Sequence, residues 1–151
     1  MQSVDFKGLD ELEKDIADLI KSFPDMQREL HEGFADAIKK KVDSEIVVSL
    51  KNGASKIKRW QGRYVGSYGG YAAVRAVDTS TGAESPGAIT NYLENGHKIR
   101  KPTGRNKRYK PRINKIYIDG YHFYSKASNN LEADIIKISE RFANKIKNKL
   151  E

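Results

Sequence analysis

The amino-acid sequence predicts an α+β protein with two N-terminal helices, the second one long, then a small and mostly antiparallel sheet carrying a basic loop, and a long C-terminal helix. Apolar residues recur at helical spacing in residues 9–49 and again in residues 123–150. Between them, aromatic and β-branched residues alternate with glycine-containing turns. Because helical and strand-like stretches are grouped rather than alternating, the α+β class is favoured.

The first helix is predicted over about residues 9–22. Pro24 is expected to end it, because a residue that precedes proline avoids the helical region of backbone space. Pro24 can also occupy the first position of a second helix, predicted over residues 24–49. At ~1.5 Å per residue this second helix would be a rod of roughly 38 Å.

Four segments have the composition of strands: KIKRWQGRYV, YAAVRAVD, AITNYLE and INKIYID. Asn95-Gly96 directly after AITNYLE is a strong hairpin signal, since both residues accept a positive φ. Glu94, Asn95 and Gly96 are therefore predicted to form a structural turn. After Asp119-Gly120, a single long helix is predicted from about Phe123 onwards.

Composition limits the classes of protein. A chain of 151 residues favours one domain, predicted here over residues 1–151. It has no cysteine, which excludes disulfides and thiolate metal sites. No apolar run approaches the ~20 residues of a membrane span, and the N-terminal residues lack a signal-peptide pattern. We therefore expect a soluble protein made inside the cell, without contact to a membrane.

Charge is unevenly distributed along the chain. Residues 1–49 carry 7 basic and 12 acidic side chains, whereas residues 98–115 carry nine basic side chains and no acidic one. Pro102, Gly104 and Pro111 make this basic segment an extended loop, predicted over about residues 98–112. Its candidate interaction residues are Lys98, Arg100, Lys101, Arg105, Lys107, Arg108, Lys110 and Arg112.

Three roles are open for the basic loop. It is a solvated loop that opposes aggregation, or it docks onto an acidic surface such as residues 1–49 of an adjacent copy. Alternatively it neutralises phosphates of a nucleic acid, with Tyr109 stacking on a base. The sequence has no helix-turn-helix, zinc-finger or RNP pattern that would read a nucleotide sequence.

Glu94 and His97 are the one pair that suggests catalysis. A general base needs a partner and a pocket, and one Glu and one His provide at most two metal ligands. The serines and glycines match no nucleophile elbow or phosphate-binding loop. We therefore predict no catalytic residue, no metal site and no cofactor.

Three short marks in a fixed order resemble a known family. The first mark, at residues 6–12 (FKGLDEL), is an apolar-x-Gly-apolar-x-Glu-apolar start. The second, at residues 91–97 (NYLENGH), is an apolar-Glu-x-Gly element that follows a tyrosine. The third, at residues 120–127 (GYHFYSKA), is a Gly-x-x-Phe-x-x-x-Ala entry into the last helix. The chain resembles the tail-completion and head–tail joining proteins of long-tailed phages, akin to the lambda-type minor tail protein Z.

The resemblance implies a structural protein of the virion, not an enzyme. It implies a ring of copies, hexameric in the virion, at the head-proximal end of the tail. Its partners would be itself and neighbouring neck and tail proteins, with non-specific contact to phage DNA possible. Its location would be the virion, and the host cytoplasm during assembly. The alternative function is non-sequence-specific nucleic-acid binding through the basic loop.

Overall fold

The computed structural model describes residues 7–77, 80–99 and 115–150. Within these residues the chain forms five α-helices and four short strands. They are, in order, α1 (Lys7–Ser49), α2 (Ala54–Trp60), β1 (Gln61–Val65), β2 (Ala72–Ala76), α3 (Pro86–Asn95), β3 (His97–Lys98), β4 (Tyr117–Ile118), α4 (Phe123–Asn129) and α5 (Glu132–Leu150).

The two N-terminal helices predicted from Pro24 are one continuous helix, so that prediction is wrong. α1 runs for 43 residues with Pro24 inside it. An interior proline removes one helical hydrogen bond and costs about 3 kcal/mol. Burial of Met26 and edge-to-face packing of Phe23 on Phe142 of α5 favour continuing the helix on both sides of the proline. Tertiary packing therefore overrides the local stop signal.

The predicted strand AITNYLE is also wrong, because these residues belong to α3. Ser85 caps the start of α3 by accepting from the N–H of Ala88 at 3.1 Å, and Pro86 occupies the first turn. Gly96, with φ 77°, ends the helix. The first half of KIKRWQGRYV is likewise helical, in α2, and the strand begins only at Gln61.

The strands form two separate ribbons where one small sheet was predicted. β1 and β2 pair antiparallel, from Gln61 opposite Ala76 to Val65 opposite Ala72. β3 and β4 pair antiparallel over only two residues each. The return strand predicted in INKIYID is reduced to Tyr117–Ile118 among the described residues. Helices and antiparallel strands are both present, so the α+β class roughly matches, but helix dominates.

The predicted long C-terminal helix is two helices, α4 and α5. The break falls at Asn130 and Leu131, whose N–H groups bond three residues back, to the carbonyls of Ala127 and Ser128. Asparagine side chains compete with the helical backbone for hydrogen bonds, which makes consecutive asparagines a weak point in a helix. The apolar periodicity continues across the break and hides it from a pattern-based prediction.

The hydrophobic core lies where the C-terminal half of α1 meets α2 and α4. Its buried members are Val42, Ile46, Leu50, Ile57, Phe123 and Ala127. Partly buried side chains of the other elements pack around them, among them Trp60, Val74, Ile89 and Leu93. This core fixes the position of α3 and α4 relative to α1, and so positions the junction described next.

α5 lies along α1 outside this core. Glu29 and Lys145 form an ion pair, as do Lys41 and Asp134, and Ile138 contacts Gly33. No described residue of α5 is fully buried. The interface between α1 and α5 is therefore only partly buried, and both helices keep exposed apolar side chains.

Candidate functional site

α3 positions Glu94 at the edge of the core. Ile89 and Leu93, four residues apart on one helical face, pack against the core cluster. Thr90 and Glu94 follow them by one position each and are both buried. A buried carboxylate is costly unless its oxygens are hydrogen-bonded, so the partners of Glu94 decide its role.

Both oxygens of the Glu94 carboxylate accept backbone N–H groups from the first turn of α4. Tyr124 N donates at 2.9 Å and Ser125 N at 3.2 Å. The first N–H groups of a helix have no acceptor inside the helix, and that end carries a partial positive charge. His122, which precedes α4, supplies no side-chain bond to it. Glu94 therefore caps α4 from a position 30 residues earlier in the chain.

Backbone contacts bring the two segments together around this cap. The carbonyl of Leu93 accepts from Tyr121 N at 2.7 Å, and that of Glu94 accepts from His122 N at 3.2 Å. A Cβ on Gly120 would lie 2.0 Å from the Glu94 carbonyl oxygen, and one on Gly96 would lie 2.3 Å from the Ile118 carbonyl oxygen. Both positions require glycine because the backbones approach so closely. We call this arrangement of residues 93–96 against residues 118–125 the Glu94 junction.

A chain of hydrogen-bonded side chains, partly buried at Tyr124 and buried at Gln61 and Thr90, extends the junction towards α2 and β1. The Tyr124 hydroxyl donates to Gln61 Oε1. Gln61 Nε2 in turn donates to the Ile57 carbonyl at 3.0 Å and lies 3.4 Å from Thr90 Oγ1. Burial, and then the negative charge of Glu94, raise the pKa of Tyr124 to about 12. Three helices and a strand are thus joined through one tyrosine and one glutamine.

The root of the basic loop is attached to the same junction. His97 pairs with Ile118 and Lys98 with Tyr117, and Ile99 N donates to the Ile116 carbonyl at 2.9 Å. The Tyr117 hydroxyl donates to the Asn95 carbonyl at 2.6 Å. The described residues that flank the basic segment, up to Ile99 and from Ile116, are therefore held side by side next to the junction.

Of the predicted interaction residues, only Lys98 lies in the described part of the chain, where it is exposed in β3. The others lie outside the described residues: Arg100, Lys101, Arg105, Lys107, Arg108, Lys110 and Arg112.

Glu94 and His97 are directed to different partners. The Glu94 oxygens bond the α4 backbone, whereas the His97 ring lies against the Tyr92 ring, with 5.2 Å between centroids. Residues 94–96 were predicted as a hairpin turn; Glu94 and Asn95 instead end a helix, and Gly96 is its C-terminal cap. In residues 7–77, 80–99 and 115–150, no group of three or more histidines and carboxylates is placed to hold a metal ion.

The capping role of Glu94 was missed by sequence reasoning, as were the roles of Tyr124 and Gln61. The signals that would have revealed α3 are present: Ser85-Pro86 is a helix start, and Asn95-Gly96 fits a helix end as well as a hairpin. With α3 read as a helix, Glu94 falls beside the apolar Ile89–Leu93 face. A carboxylate there indicates a buried hydrogen-bond acceptor. No sequence signal identifies α4 as its partner.

Comparison with known proteins finds no matching family model, no similar curated protein and no similar solved structure. None of the helices in the described ranges has the length and apolar content needed to cross a membrane.

Replacing Glu94 by glutamine tests the cap. Glu94→Gln keeps the side-chain volume, but its amide nitrogen would face one of the two N–H donors. We expect the free energy of unfolding to fall by about 1.5–3 kcal/mol, because a charged hydrogen bond is lost and a partly buried backbone donor is left without a partner. Urea unfolding at neutral pH measures this change. Glu84→Gln, at an exposed loop position, is the matched control and should change stability by less than about 0.5 kcal/mol.

Tyr124 gives a prediction for alkaline pH. Its pKa rises from 10.0 to about 12 on folding, so the folded state favours the neutral phenol. The contribution of the neutral Tyr124 phenol to the free energy of unfolding is fully present below pH 10 and is lost as pH rises towards 12. The stability advantage of the wild type over Tyr124→Phe should therefore shrink between these values. A constant difference in unfolding free energy across this range would contradict the raised pKa.

Proposed function

We propose that this protein is a structural subunit of the virion of a long-tailed phage or prophage. It acts in tail completion and head–tail joining, as one copy in a ring at the head-proximal end of the tail. The proposal starts from the resemblance of three sequence marks to that family of proteins. Two observations support it: the Glu94 junction and the distribution of charge along the chain.

The Glu94 junction is the observation that carries the proposal. The second mark of the resemblance, at residues 91–97, and the third, at residues 120–127, are separated in sequence but meet in space. The glutamate of the second mark caps the helix that the third mark begins. The glycines of the two marks, Gly96 and Gly120, are the positions where the backbones touch. The two marks therefore have a shared physical reason to occur together.

Surface charge supports an assembly of several copies. A ring subunit uses two different, complementary faces, one for each neighbour. The chain has an acidic N-terminal region and a basic loop rooted at the junction. Attraction between unlike charges on neighbouring copies would set the register of such a ring and speed its formation.

Non-specific nucleic-acid binding is the second candidate function. It is favoured by the nine cations of residues 98–115 and by Tyr117 and Tyr121, both partly exposed next to the loop root. Affinity that comes from phosphate contacts falls steeply as salt rises. A gel shift at ~50 mM salt that disappears at higher salt would support this function, and no binding at ~50 mM salt would remove it.

Charge removal in the basic loop tests the joining role in a phage that carries this gene. Deleting the gene should leave filled heads and finished tails separate in electron micrographs. Replacing Lys98, Arg100, Lys101, Arg105, Lys107 and Arg108 by glutamine should reproduce much of this defect, because the docking charge is lost. Replacing Lys126, Lys137 and Lys149 by glutamine, all outside the loop, is the control and should leave joined particles.

Normal joined virions in the deletion strain would contradict the proposed function. Joined virions in the loop variant alone, with the deletion strain defective, would contradict only the role of the loop charges.

A further inference from the structure

The N-terminal part of α1 exposes an apolar stripe. Leu12, Ile16 and Ile20 follow one another at four-residue spacing and are 45%, 42% and 68% exposed. Every residue from 11 to 18 is exposed. Helices in globular proteins normally bury such a stripe against another element. We call residues 11–20 the α1 tip.

A second apolar patch lies near the other end of the same helix. Val47 and Val48 are 53% and 77% exposed. They border a shallow depression of about 560 Å³ that runs along α1 and is closed on one side by Lys58 of α2. We call this depression the Val48 groove.

The two surfaces have opposite charge. The α1 tip carries Glu11, Glu13, Asp15 and Asp18 against Lys14, a net charge of −3. The groove is lined by the cations Lys39, Lys40 and Lys58 and the carboxylates Asp36 and Asp43. Asp43 is paired with Lys39, and Asp36 with Arg63 from β1. With Arg63 included, the groove has a net charge of +2. The groove thus carries two exposed valines at one end and a net positive charge along its length, which complement the apolar stripe and the negative charge of the tip.

The tip and groove of one chain are too far apart to meet. Ile16 and Val48 are separated by 32 positions of one continuous helix, roughly 48 Å at 1.5 Å per residue. Two tips facing each other would bring two surfaces of net charge −3 together, which is unfavourable. Opposite charge therefore favours a contact between the tip of one copy and the groove of another.

We propose that the α1 tip of one copy docks into the Val48 groove of the next copy. The contact is a helix laid along a groove, with anchors at four-residue spacing. It joins two different surfaces, so each copy keeps one free tip and one free groove until the ring closes. The inference rests on the proposed ring, and it gives the acidic N-terminal region a contact on the neighbouring copy in addition to the basic loop.

Cross-linking between single-cysteine variants tests the contact, because the natural chain has no cysteine. Ile20→Cys and Val48→Cys are purified separately, then mixed and treated with a short bis-maleimide linker. The mixture should give a covalent dimer, while each variant alone should stay monomeric on a denaturing gel. A chain with both substitutions should give a ladder of higher oligomers. Ile136→Cys, half exposed on α5, mixed with Val48→Cys is the control and should give no dimer.

Charge reversal adds a check on specificity. Glu13→Lys with Asp15→Lys in the Ile20→Cys chain should reduce the dimer. Lys40→Glu with Lys58→Glu in the Val48→Cys chain should restore it.

Two results would overturn the inference. One is a dimer from Ile20→Cys alone as strong as from the mixture, which would mean that tips pair with tips. The other is a mixture that gives no more dimer than the control. The cross-link can form while deletion of the gene leaves virions joined, in which case only the proposed function fails. If the cross-link is absent while deletion still separates heads from tails, only this inference fails.

Discussion

The capping of α4 by the buried carboxylate of Glu94 is the interaction on which the Glu94 junction depends. It takes up two N–H groups of α4 that the helix itself cannot satisfy. Burying a charge costs free energy, and here two charge-assisted hydrogen bonds and the positive end of a helix offset that cost. Without this acceptor, α4 would begin with orphaned donors beside the core, and Phe123 would lose the backbone geometry that places it there.

Several other features follow from this cap. Gly96 and Gly120 allow the segments to approach closely enough for the carboxylate to reach α4. The Tyr124–Gln61 hydrogen bond connects the capped helix to β1. The short β3–β4 ribbon begins directly after the junction, so the cap also fixes the positions of Lys98 and Tyr117, which flank the basic segment in the sequence. A single junction thus couples the core to the surface proposed for assembly.

The sequence predicted the elements whose signals are local and missed those decided by packing. The apolar periodicity of α1 and α5 and the strands on either side of SYGG were readable, because one face of each is defined by residue type. Pro24 was read as a stop, since its local preference is strong and the compensating contact with Phe142 is not visible in sequence. AITNYLE was read as a strand because Ile and Thr favour strands, although Ser85-Pro86 marked a helix start. The sequence drew attention to Glu94 and Gly96, but it did not reveal that Glu94 caps α4, 30 residues later in the chain.

Hydrogen exchange at the first turn of α4 tests the central claim most directly. Tyr124 N–H is the second amide of its helix and has no acceptor within the helix, so its protection reports the Glu94 carboxylate alone. We expect the Tyr124 and Ser125 amides to exchange slowly, at rates comparable with Val42 and Ile46 in the core. Ala133, at the matching position of α5 and exposed, should exchange fast. Exchange at Tyr124 as fast as at Ala133 would contradict the cap and the junction built on it.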